Sequence, residues 1–223
     1  MIFLFLLIIF LPILFLIFIL PIGYLIHGFL NLLTVPLQII EIAVNRKLRK
    51  NHALEHATIN VLEERSRRKN IFSGYARENG FYVFGPASPD EIFSSSIEGR
   101  ERLINGEKNL AIHNRCGTSI AVASFLTFLV FLILLILTHS INIFLLLLAF
   151  LIGEILGPPL GKITQAYFTT DANVSDIKIV DIEYNPKNIF GPFGITYPSR
   201  SSSFFIKTTE VEKFKVLWKI SLT

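Results

Sequence analysis

One cysteine, Cys116, among 223 residues excludes an internal disulfide framework. Basic charge is missing from two long stretches, since no Lys or Arg stands before Arg46 or between Gly117 and Gly161. Residues 1–20, MIFLFLLIIFLPILFLIFIL, hold no charged side chain at all. Such stretches cannot form the wet surface of a soluble domain. Twenty helical residues instead cover roughly 30 Å, the thickness of the hydrocarbon layer. No basic residue precedes this first segment and no small-residue cleavage site follows it, so a retained membrane span is expected rather than a removable leader.

What is present fits that reading: 52% of the residues are hydrophobic and 21 are Phe. Residues 22–44 are long enough to return across the bilayer, despite His27, Asn31, Gln38 and Glu41. Residues 119–137 and 141–160 give two more spans, joined by a short turn. Of the 21 Lys and Arg, 13 fall in residues 45–115 and 8 in residues 162–223. With four spans, both basic regions lie on one face, and the positive-inside rule places them and both termini in the cytoplasm. The expected fold is thus an α-helical membrane protein of about four spans, in the inner cell membrane. It comprises two N-terminal spans (1–44), a small α+β cytoplasmic loop domain (45–118), a membrane hairpin (119–161) and a β-rich cytoplasmic tail (162–223). The net charge of +4 requires no nucleic acid, because Arg46, Lys47, Arg49 and Lys50 are placed to meet anionic headgroups of the lipid bilayer.

Local signals subdivide the loop. No Pro or Gly interrupts Asn45 to Arg68, and Leu48, Leu54, Ile59 and Leu62 recur at helical spacing. Phe81 to Phe84, bounded by Gly80 and Gly85, reads as a strand. Ser88, Pro89 and Glu91 form an N-cap, first-turn proline and capping-box partner for a second helix that ends near Gly106. In the tail, Ile177, Ile179, Val180 and Ile182, and later SSSFFIKTTEV, predict strands.

The chemistry-bearing residues cluster at the membrane edge. In NHALEHATINVLEERS, His52 and His56 lie one helical turn apart on the same face, with Glu55 beside them. Two imidazoles at this spacing can bind a divalent metal, and an adjacent carboxylate can activate a metal-bound water. H-x-x-E-H is also the reversed zincin pattern. The plainer reading is a polar helix with two exposed histidines. AIHNRCGTS then supplies His113 and Cys116 immediately before the third span, both suited to zinc. Here the plainer reading is a surface histidine and a small buried thiol. Glu154 is the lone acid deep in the later spans, where an intramembrane carboxylate usually faces a bundle interior or polar cavity, with Gly157, Pro158 and Pro159 marking a helix break nearby.

HALEH followed by HNRCGTS resembles the paired signatures of the YqhQ-like group of bacterial membrane proteins, regarded as metal-dependent enzymes. The region 51–223 is similar, more closely still, to a family of unknown function common in photosynthetic bacteria, with HALEHATI and CGT as hallmarks. The resemblance covers about three quarters of the chain and places His52, Glu55, His56, His113 and Cys116 at motif positions. Together with the residues' own chemistry, it leads to the expectation of a membrane metal-dependent enzyme, a hydrolase with zinc on His52, His56 and His113 and Glu55 as general base. Cys116 is a fourth ligand or a reactive thiol. Four protein ligands would close the site and make it structural. The alternative is then a non-enzymatic assembly or interaction protein with an unidentified protein partner. A small transporter built around Glu154 is a third, weaker option.

Overall fold

The computed structural model describes residues 10–12, 26, 28–184 and 203–211. The chain divides into two compact units, one drawn from residues 1–44 and 114–169 and the other from 45–113 and 170–223.

The first unit is helical: α1 (Gly28–Val44), α4 (Gly117–Thr138) and α5 (Ile143–Thr164), the last continued by a π turn at Gln165–Thr169. Asn142 caps α5, its side chain accepting from Leu145 N–H. A stripe of small residues lets α4 and α5 approach closely. A Cβ added at Gly153, Gly157 or Gly161 would fall 1.7, 2.3 or 2.5 Å from Thr127, Ala123 or Ser119, respectively. Small residues four apart are the usual means of close helix contact in a bilayer. Asn31 Nδ2 donates to Ser124 Oγ at 2.7 Å and so ties α1 to α4. Large apolar side chains, among them Phe29, Leu37, Ile136, Phe144 and Ile155, point outward.

Among the described residues, α4 and Ile143–Thr169 are each long and apolar enough to cross a membrane. A third span is reached if α1 is counted with the helix after it. Of the four expected spans, the first falls almost entirely outside the described residues. The break expected at Pro158–Pro159 does not occur, and α5 runs on to Thr164. Glu154, expected from the sequence to face an interior, is exposed on α5 among the described residues.

The second unit is an α+β fold. It contains α2 (Arg46–Ser66), β1 (Ser73–Arg77), β2 (Gly80–Phe84), α3 (Pro89–Ile104), a 3-10 turn at Lys108–Ala111, β3 (Ile177–Tyr184) and β4 (Ser203–Glu210). The strands form one antiparallel sheet in the order β1-β2-β4-β3. The loop (45–118) and tail (162–223), read from sequence as separate regions, therefore share a sheet, with β4 of the tail lying between β2 and β3. Strand periodicity sends Phe81, Val83, Phe204 and Ile206 into a core with Ala53, Leu54, Ala57 and Ile92 of α2 and α3. Tyr82 and Phe205, paired in register, lie on the opposite face. The capping box at Ser88 and Glu91 forms as expected. The Ser88 backbone and side-chain hydrogen bonds hold the Glu91 carboxyl below its ordinary value.

Candidate metal centre

Helix α2 carries little apolar character yet is buried along most of its length, including Lys50, Asn51, His52, Glu55, His56 and Thr58. Burying a polar group is costly unless it gains a partner, and partners can be named for several of these. Lys50 pairs with Asp176. Asn51 Nδ2 donates to the Arg77 and Glu78 carbonyls at 2.7 and 2.9 Å, and its Oδ1 accepts from Thr208 Oγ1 at 2.8 Å. Thr58 Oγ1 donates back to the Leu54 carbonyl. Glu55 lies against β1, where a Cβ on Gly74 would stand 2.5 Å from its Oε1. Glycine at position 74 makes room for that carboxylate.

The three expected histidine ligands come together in this unit. The His52 and His56 ring centroids are 4.3 Å apart, and those of His56 and His113 are 6.0 Å apart. All three rings are buried. The reading of His52 and His56 as exposed side chains on a polar helix is therefore overturned, as is that of His113 as a surface residue. His56 Nδ1 lies 2.8 Å from the Ala111 carbonyl, and a carbonyl can only accept, so Nδ1 carries the proton. In the neutral ring Nε2 then keeps its lone pair. That atom is buried and has no hydrogen-bond partner.

Residues 110–113 are held along the same face of α2. Asn60 Nδ2 donates to the Leu110 and Ile112 carbonyls at 3.0 and 3.1 Å, and Glu63 Oε2 lies 3.7 Å from His113 Nε2. Neither Asn60 nor Glu63 was singled out from the sequence. The signal was available, because His52, His56, Asn60 and Glu63 continue one helical face beyond the five-residue motif. Cys116 belongs to the helical unit, where it is the N-cap of α4 with Sγ accepting from Thr118 N–H at 3.4 Å. It is buried, as a ligand or a packing thiol would be.

Fold and site together define a class: a protein with helices long and apolar enough to span a membrane, and an α+β unit that buries a histidine cluster. The chain belongs to the family described as a domain of unknown function, DUF6391, whose model matches residues 47–182. That match contains all five candidate residues and ends within β3. An uncharacterised protein of Picosynechococcus is 34% identical over 134 residues, covering 55% of this chain and 65% of that protein. The chain thus spans just under two thirds of the curated relative it matches. No solved structure matches it.

Proposed function

We propose that this is an integral membrane, metal-dependent enzyme, a hydrolase acting at the cytoplasmic edge of the inner membrane. His52, His56 and His113 hold a divalent ion, zinc by donor chemistry, with Cys116 as a fourth ligand or a reactive thiol. One observation carries the reading. The His56 Nε2 is buried without a partner, while its other nitrogen is held by a backbone carbonyl. Metal-bound histidines characteristically use one nitrogen for the ion and donate from the other to such an acceptor.

Cys116 can take part as the fourth ligand because it lies only three positions beyond His113. A chain extends about 3.5 Å per residue, so its Cα stays within roughly 11 Å of that of His113. Three protein ligands leave a fourth position for water, and Glu55 is the general base that would deprotonate it. The resemblance to the YqhQ-like group is in keeping with this reading. If Cys116 fills the fourth position, the centre is closed, and the protein is an assembly or interaction factor with a structural metal.

Elemental analysis of the full chain purified in detergent tests the proposal. About one equivalent of zinc or a similar ion is expected in the wild type, with loss in His52→Ala and His56→Ala. A protein that takes up no stoichiometric metal, even after incubation with zinc, would overturn it.

A further inference from the structure

The face of α2 that begins with His52 and His56 continues one turn at a time to Asn60 and Glu63, and each of the last three touches the segment before α4. His56 meets Ala111, Asn60 meets Leu110 and Ile112, and Glu63 meets His113. Glu63 is itself held. Its Oε1 accepts from Asn70 N–H at 2.6 Å, and Asn70 sits at φ 64, a left-handed conformation that asparagine tolerates better than most residues. The carboxylate is thus fixed by a backbone donor on one oxygen, and its other oxygen is directed at a buried imidazole. Its side chain is only 13% exposed and that of His113 7%, so water screens the pair weakly.

From this geometry we infer that Glu63 is a positioning residue of the centre, fixing the tautomer and orientation of His113. The inference rests on the metal-site reading above and extends it to a residue outside the motif. At 3.7 Å the contact is too long for a hydrogen bond, so Glu63 acts through its charge. A carboxylate facing Nε2 favours the proton on that nitrogen. Nδ1 becomes the nitrogen that bears the lone pair. His56 is locked in the opposite sense, with Nδ1 protonated by the Ala111 contact and Nε2 bare. The two rings thus carry complementary tautomers, each set by an acceptor outside the metal shell. Asn60, by gripping the carbonyls on either side of Ala111, fixes the backbone from which both contacts are made.

The test is cobalt(II) titration of the full chain in detergent, read by visible absorption and by competition with zinc. Glu63→Ala should weaken cobalt affinity by about 10- to 100-fold and alter the absorption bands, the usual consequence of removing such an outer carboxylate. Glu63→Gln keeps an acceptor without the charge and should fall between Ala and wild type. Glu64→Ala removes the same charge one residue away, where the carboxylate pairs with Arg102 instead, and should leave the spectrum unchanged. Should Glu63→Ala not fold, the Gln variant carries the comparison. Wild-type spectra and affinity in both Glu63 variants would overturn the inference and leave the metal site standing. A wild type that binds neither cobalt nor zinc would overturn both.

Discussion

The helical unit turns large apolar side chains outward and packs on glycine, alanine, serine and threonine. The α+β unit instead places Lys50, Asn51, His52, Glu55 and His56 inside. The first pattern suits lipid and the second suits water. Lipid is as apolar as leucine, so leucine burial does not drive helices together in a bilayer, and close backbone approach does. In water apolar burial supplies the driving force, here from Leu54, Phe81, Ile92, Phe204 and Ile206. An α+β unit with an apolar core has no general reason to bury a lysine and several histidines. The buried polar residues of α2 therefore mark either structural pairs or function. Lys50 with Asp176 is a structural pair, and the unpartnered His56 Nε2 is the atom to which the proposed metal centre gives a role.

Breaking the structural pair should have the largest effect. Asp176→Asn strands the Lys50 ammonium, whose side chain is 1% exposed, and removing one partner of a buried pair costs about 3–5 kcal/mol. Lys50→Met should cost less, because Asp176 is 23% exposed and can recover water. Chemical unfolding of the full chain followed by circular dichroism measures both, and equal losses would mean that the burial asymmetry is energetically silent.

The same pair sets an acid limb. Burial alone would raise the Asp176 pKa, but the hydrogen bond and charge of Lys50, with help from a backbone N–H and Arg46, hold it below its ordinary value. Its stabilisation is therefore complete above the unfolded carboxylate value of about 3.9 and is lost as pH falls through the lower native value. Lys50→Met should flatten that part of the stability profile.

The helical unit should fail through volume rather than charge. A Cβ at Gly157 would meet Ala123 Cβ at 2.3 Å and its backbone Cα at 2.7 Å, which no rotamer change can relieve. Gly157→Ala should cost about 1–3 kcal/mol, the usual penalty of overpacking. At Gly117 a Cβ would meet nothing within 4 Å, so Gly117→Ala serves as a neutral control. Unfolding in mixed SDS micelles reads the difference. If the two variants unfold alike, close approach of α4 and α5 is not what holds them.

How much of this was legible in the sequence follows from how local each signal is. Ser88, Pro89 and Glu91 define a helix start within four residues, and that helix forms where expected. The strand at Phe81 to Phe84 was legible from its aromatic and β-branched run, whereas Ser73–Arg77 was not, since SGYAR carries no alternation of apolar residues. The place of β4 between β2 and β3 was hidden because the pairing of Tyr82 with Phe205 spans more than a hundred residues. Gly157 was misread through a rule from water. With Pro158 and Pro159 it looked like a helix break, yet in an apolar helix a glycine at four-residue spacing is a contact surface. At the site, His52 and His56 were legible from their spacing. Asn60 and Glu63 continue the same helical face, but what they do there depends on a segment fifty residues away.

The smallest expected effect on stability falls where the two units join in sequence, at Cys116, and it separates capping from metal binding. Cys116 caps α4 through a weak sulfur acceptor at 3.4 Å from Thr118 N–H. Serine is a better N-cap, so Cys116→Ser should leave the stability of the metal-free protein within about 0.5 kcal/mol of wild type or raise it slightly. The same change replaces a thiolate ligand by a hydroxyl that remains protonated at neutral pH and binds zinc poorly. If Cys116 is a ligand, the variant should therefore lose metal or bind it far more weakly, with unfolding otherwise unaltered. Retained metal at wild-type affinity would reduce Cys116 to a cap and leave the histidines to hold the ion alone. A large loss of stability without any change in metal content would mean that its buried packing, not its chemistry, is what the position requires.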